Sequence, residues 1–186
     1  WYLKNTGEVI STTIDKYLYL TCRNQPSFFK YKYRIIWRKI ELAQNRQEIK
    51  HRVIKEMIKY LDIKDGLEIL YAGDLPAQSG MGSSSSFVVG LMTALFELKN
   101  IKFNKEKLAK ESIYFEQKVL KEMVGSQDQV ANSYGGFQSI KFMRNGSFKV
   151  TNLDKDKNYL KSLNERLVLI HTERPKTANV IASKYV

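Results

Sequence analysis

Hydrophobic and polar positions set the elements expected along the chain. Glu8 to Ile14 is rich in β-branched residues, Lys16-Tyr17-Leu18-Tyr19-Leu20-Thr21 alternates, and Phe28 to Trp37 is aromatic and β-branched. Each stretch reads as a strand. The period then changes. Ile49, Val53, Met57, Ile58 and Leu61 recur at three- and four-residue steps, and the spacing predicts a helix over 40–61. Asp65-Gly66 is a turn signal, followed by a strand over Leu67 to Ala72. A Gly/Ser-rich loop from Gly73 to Ser86 runs straight into Phe87 to Phe96, an apolar stretch long enough for a buried helix. A further helix is predicted over 104–123, with Leu108, Phe115, Val119 and Met123 on one face and Gly125 closing it. A short helix over 127–133 precedes the Gly135-Gly136 turn. Strands follow at Phe137 to Phe142 and Ser147 to Val150, a buried strand at Leu167 to Ile170, and the start of a helix over 176–185. Strands, then helices, then strands again indicate an α+β fold.

Composition narrows the class. The chain has 186 residues, 43% of them hydrophobic, enough for one domain or one domain and part of a second. No run of 18 apolar residues occurs, so no membrane partner is expected. The start, Trp1-Tyr2-Leu3-Lys4-Asn5, lacks the basic-then-apolar order of a signal peptide. Cys22 is the only cysteine, which suits a reducing cytoplasm and reads as a small buried residue, not a nucleophile. The net charge of +12 admits two partners, nucleic acid or small anions such as nucleotides and sugar phosphates. The cations from Lys30 to Lys59 are spread out and form no solid block, and the Gly/Ser loop has no Lys or Arg between Asp74 and Leu98. A nucleic-acid partner is therefore not expected.

Candidate chemistry centres on Gly80-Met81-Gly82-Ser83-Ser84-Ser85-Ser86. Glycines let backbone approach a ligand closely, and a loop feeding a helix N-terminus presents free amides to an anion. Serine hydroxyls add contacts to phosphate or magnesium. No Lys follows the second glycine, so this is not a Walker A loop. Two carboxylates follow. Glu116 sits on a predicted helix at the edge of its apolar face, where a surface glutamate is the plainer reading. Asp128 sits at a predicted helix start, where an N-cap is the plainer reading. Phosphoryl transfer to a hydroxyl needs a carboxylate beside the acceptor and a magnesium site at the phosphates, so the loop and the two acids make a kinase set together.

Pro76-Ala77-Gln78-Ser79-Gly80-Met81-Gly82-Ser83-Ser84 resembles the phosphate-binding motif of the GHMP kinases, usually Pro-x-Gly-x-Gly-Leu-Gly-Ser-Ser. Within them the chain is most similar to the D-glycero-D-manno-heptose 7-phosphate kinases. The likeness rests on Ser11-Thr12-Thr13-Ile14-Asp15-Lys16-Tyr17, the four-serine loop ending in Phe87, and Gly125-Ser126-Gln127-Asp128-Gln129 with Tyr134-Gly135-Gly136-Phe137. His171-Thr172-Glu173-Arg174 is also similar.

The resemblance implies an ATP-dependent kinase that transfers the γ-phosphate to a sugar hydroxyl, the anomeric hydroxyl of a heptose 7-phosphate, with ATP and Mg2+ as cofactors. The alternatives are a GHMP kinase for another sugar or alcohol and an S5-like nucleic-acid-binding module without catalysis. Gly80, Met81, Gly82, Ser83, Ser84 and Ser85 would hold the ATP phosphates, Ser84 and Glu116 the metal, and Asp128 the acceptor hydroxyl. Lys16 and Arg174 are weaker substrate-binding candidates. The implied architecture is a ribosomal-protein-S5-domain-2-like N-terminal domain over 1–163 and the beginning of a ferredoxin-like C-terminal domain over 164–186. Gln78 and Met81 depart from the motif. The family's glycine-rich first motif has no counterpart before Thr6-Gly7, nor has most of the C-terminal domain after Val186, so a fragment of a longer kinase is expected. The sequence leaves open the acceptor, the adenine contacts and whether the protein is a homo-oligomer.

Overall fold

The computed structural model describes residues 4–76, 80–154, 156–168 and 170. The fold is α+β, with two sheets backed by helices. Strands β1 (Gly7–Thr12), β6 (Phe137–Phe142) and β7 (Phe148–Asn152) form an antiparallel sheet in the order β1-β6-β7. Strands β2 (Leu18–Gln25), β3 (Tyr33–Ile36), β4 (Ile40–Ala43) and β5 (Gly66–Gly73) form a second sheet in the order β2-β5-β3-β4. Only the β3–β5 pair in it is parallel. Gly66 opens β5 where a Cβ would come within 2.7 Å of the Lys32 carbonyl and 2.8 Å of that of Gln25. Only glycine fits that approach.

Helices α1 (Arg52–Tyr60), α2 (Ser83–Leu98), α3 (Lys105–Tyr114) and α4 (Gln127–Tyr134) supply the other layer. The larger core gathers Ile35, Leu67 and Ile69 from the four-stranded sheet, Ile54 and Met57 from α1, and Val88, Leu91, Met92 and Leu95 from α2. A smaller one joins Ala109 and Val130 to Ile140 and Phe142 beneath the three-stranded sheet. Cys22 packs beside the larger core, where burial pushes its thiol up to about 11. It is an inert thiol at neutral pH.

Three expectations are corrected. The helix predicted over 40–61 is strand β4, a 3-10 turn at Arg46–Glu48 and then α1. The helical spacing starts only at Ile49, and Ile40–Ala43 pairs with β3 through a tight turn in which the Trp37 amide donates to the Lys39 carbonyl. Glu41 then fixes the link to α1, accepting from Trp37 Nε1 and from the amides of Lys50 and His51. The helix predicted over 104–123 leaves α geometry at Phe115–Val119, a π turn. Leu120, not Met123, completes its buried face, and Gly125 lies beyond the helix it was expected to close. At the buried strand expected over 167–170, Leu167, Val168 and Ile170 are exposed and in no strand. An unforeseen helix α5 (Lys157–Asn164) precedes them, with the Asp156 carboxylate accepting from the amides of Asn158 and Tyr159. The helix start expected over 176–185 lies outside the described residues.

Candidate active site

Gly82 caps α2 with φ +69, in the left-handed region that favours glycine, and Gly80 has φ +80. The first intrahelical bond of α2 runs from the Ser86 amide to the Gly82 carbonyl at 2.9 Å. The amides of Ser83, Ser84 and Ser85 precede it and point out of the helix N-terminus, where they and the helix dipole favour an anion.

A Cβ on Gly82 would lie 3.2 Å from Asp128 Oδ2, so the loop's last glycine and the Asp128 carboxylate face each other directly. Asp128 is in the first turn of α4, while Ser126 takes the N-cap position that Asp128 was expected to hold. Helices α2 and α4 are stitched together here. The Ser86 hydroxyl donates to Asn132 Oδ1 at 2.7 Å, and Asn132 Nδ2 donates to the Asp128 carbonyl at 2.8 Å. Asp128 is open to solvent on the groove side, yet packing on its protein side raises its carboxyl above the usual range by desolvation.

Glu116 lies deeper, 1% exposed. The Ser85 hydroxyl donates to its carboxylate, at 3.0 Å from Oε2 and 3.2 Å from Oε1, and Gln129 Nε2 donates to Oε2. Burial pushes the Glu116 carboxyl up to about 6, the charges of Glu122 and Asp128 push the same way, and the two hydrogen bonds oppose them.

Beside this cluster an open groove of about 1130 Å³ runs along α2. Gly80, Met81, Gly82, Ser83 and Asp128 line it, as does Lys16, whose Nζ is 4.0 Å from Asp15 and half open to solvent. The structure thus brings Gly80, Met81, Gly82, Ser83, Asp128 and Lys16 to one groove. Ser84 is exposed and does not line it, and the serine that meets Glu116 is its neighbour Ser85. Arg174 lies outside the described residues, as do Ala77, Gln78 and Ser79.

Sequence reasoning missed Gln129, Asn132 and the turn of Ser85 toward Glu116. The available signal was Gln129 on the same helical face as Val130 and Ser133, since a buried amide requires a partner. Among the described residues no three His, Cys, Asp or Glu side chains form a metal cage. Asp128 on the groove and Glu116, buried behind Ser85 and outside the groove lining, are oxygen donors of the kind that suits magnesium. It takes oxygen donors and is usually held by one or two carboxylates plus substrate phosphates.

Comparison with known proteins agrees with this fold. Residues 48–136 match the family model described as the GHMP kinases N terminal domain. The chain is 28% identical over 191 residues to a D-glycero-alpha-D-manno-heptose 7-phosphate kinase of Campylobacter jejuni, covering 96% of this chain and 55% of that protein. The chain therefore spans about half the length of the curated relative it matches. Among solved structures it superposes on a D-glycero-D-manno-heptose 1-phosphate kinase from Bacteriodes thetaiotaomicron with TM-score 0.75 and 24% identity, covering 85% of this chain and 55% of that one. A putative sugar kinase from Campylobacter jejuni gives TM-score 0.67 and 25% identity, covering 83% and 52%. The segment that builds α1, β5, the glycine loop and α2 to α4 is thus similar, over residues 48–136, to the N-terminal domain of the GHMP kinases.

Proposed function

We propose that this chain is the phosphate-binding half of an ATP-dependent sugar kinase that phosphorylates the anomeric hydroxyl of a heptose 7-phosphate. One observation carries the reading: a glycine-capped helix N-terminus lies directly against a partly desolvated carboxylate, Gly82 beside Asp128. The name of the similar heptose 7-phosphate kinase favours this acceptor over other sugars and alcohols. An ATP-consuming enzyme of this kind belongs in the cytoplasm, where its nucleotide is supplied.

In this mechanism the amides of Ser83, Ser84 and Ser85 and the loop glycines hold the β- and γ-phosphates. Asp128 orients the acceptor hydroxyl and accepts its proton while that oxygen bonds to the γ-phosphorus and the bond to the ADP oxygen breaks. Desolvation makes Asp128 a stronger base than a surface aspartate. Glu116 and a loop serine would hold magnesium, which when bound neutralises phosphate charge.

The test is turnover of ATP with a panel of phosphorylated sugars by the complete protein. Heptose 7-phosphate should be the best acceptor. Asp128→Asn should lower kcat by ~10²–10⁴-fold while leaving the ATP Kd nearly unchanged. An active Asp128→Asn enzyme removes Asp128 from the chemistry, and a preference for another sugar or alcohol overturns the acceptor alone.

A further inference from the structure

The hydrogen-bond net under the glycine loop ties three elements to one carboxylate. Glu116 is carried by the π turn Phe115–Val119, in which the Leu120 amide reaches back five residues to the Phe115 carbonyl at 2.8 Å. The extra residue in this turn sets Phe115 and Glu116, neighbours in sequence, both inside the protein. Ser85 reaches Glu116 from α2 and Gln129 from α4.

Gln129 is 1% exposed, and its Oε1 is buried without a partner. A carboxylate only accepts, so the amide must turn Nε2 toward Glu116, which leaves Oε1 with no donor. A side chain present only to fill the core would be apolar, or would satisfy both ends of its amide. The orphaned oxygen marks Gln129 as a residue kept for what its nitrogen does. Ser85 is the one serine of the four-serine loop that is buried, because it lies on the face of α2 that also buries Val88, Val89 and Met92.

We propose that Ser85 and Gln129 are positioning residues that hold the Glu116 carboxylate in one orientation for the cation accompanying the nucleotide phosphates. This rests on the kinase reading above. Neither residue touches the phosphates through its side chain. They act through Glu116, and Gln129 also links that carboxylate to Asp128, its neighbour in sequence at the acceptor position. A purely structural role for the same net would stabilise the packing of α2 on α4 without affecting metal affinity.

The experiment uses the complete protein, with Mn2+ as a spectroscopic stand-in for Mg2+. Mn2+ binding in the presence of ATP is followed by electron paramagnetic resonance, the Mg2+ KM is measured separately from kcat, and thermal unfolding is recorded for each variant. Ser85→Ala and Gln129→Met should each weaken Mn2+ binding and raise the Mg2+ KM by ~10-fold or more, the range for partners of a metal ligand. Metal-free ATP binding should change little. Ser85→Thr, which keeps the hydroxyl, should restore the metal affinity. This Ser/Ala/Thr series stands even if Gln129→Met does not fold. Variants that melt earlier yet keep the wild-type metal affinity overturn the inference and leave the kinase reading intact. Wild-type protein that binds no Mn2+ with ATP overturns the kinase reading, and the inference with it.

Discussion

Gly82 concentrates the constraints of the site in one residue. Its φ of +69 places it where an L side chain costs roughly 1–2 kcal/mol. A Cβ there would also press on Asp128 at 3.2 Å. Gly82→Val should therefore lose nucleotide binding and, through displacement of Asp128, lower turnover by ~10²-fold. Isothermal titration with Mg·ATP and steady-state kinetics check the two effects, and wild-type behaviour in both would disprove the close approach. Glu116 gives a pH signature. Its carboxyl is raised to about 6 in the folded state, above the usual glutamate value near 4.3. The neutral form is therefore favoured by folding: the contribution is complete below the unfolded value and is lost as pH rises through the folded one. Between about pH 4 and 6 this group should remove on the order of 2 kcal/mol of stability, at 1.36 kcal/mol for each pH unit of difference. Urea unfolding of wild type and Glu116→Gln across that window isolates the effect, because the difference between them cancels Glu68 and Glu48, whose hydrogen-bonded carboxyls are held low. A parallel pair of stability curves would contradict the buried, raised carboxyl.

At the scale of elements, α2 shows how close packing fixes the groove. Gly90 lies in its interior, and a Cβ there would stand 3.0 Å from Leu20 Cδ1 on β2. Alanine asks only for a shift of a leucine methyl, whereas Gly90→Val forces a branched side chain against β2 and should cost ~1–3 kcal/mol. Chemical denaturation measures this, and an unchanged midpoint would show that β2 does not seat on α2 as described. The elements legible in the sequence were those where local pattern and tertiary demand agree. Phe137–Phe142 has a strand's composition, and Ser83–Leu98 follows a glycine loop with an apolar run. Ile40–Ala43 was misread because it was merged with the helical spacing that begins at Ile49, and its pairing with β3 is a long-range matter no local window contains. The π turn was hidden for a similar reason. Phe115 and Val119 fit an α face, and only the packing of Leu120 in place of Met123 reveals the extra residue. The site divides along the same line. Loop glycines and Asp128 were readable as motif, but which serine faces Glu116 depends on the rotation of α2 about its axis, which the core decides.

At the scale of the whole molecule, the two catalytic candidates depend on different cores. The glycine loop is anchored through α2 in the larger core, whereas α4, which carries Asp128, places Val130 in the small one with Ala109, Ile140 and Phe142. The small core buries few side chains, and the three-stranded sheet above it has β1 and the largely exposed β7 as its edges. Local opening should therefore be easier on that side, since the free energy of opening follows the apolar contacts that must be broken. Hydrogen exchange should show β1, β6, β7 and α4 exchanging faster than β5 and α2. On the proposed reading, a nucleotide at the loop with an acceptor at Asp128 would bridge the two cores and be stable only when α4 is docked. Mg·ATP with acceptor should accordingly slow exchange in α4 and β6 by as much as RT ln(1 + [L]/Kd) allows, with little change in the core of α2. Uniform protection on binding, or protection confined to the loop, would show that Asp128 is already locked in place and that closure of α4 onto the loop is no part of assembling the site.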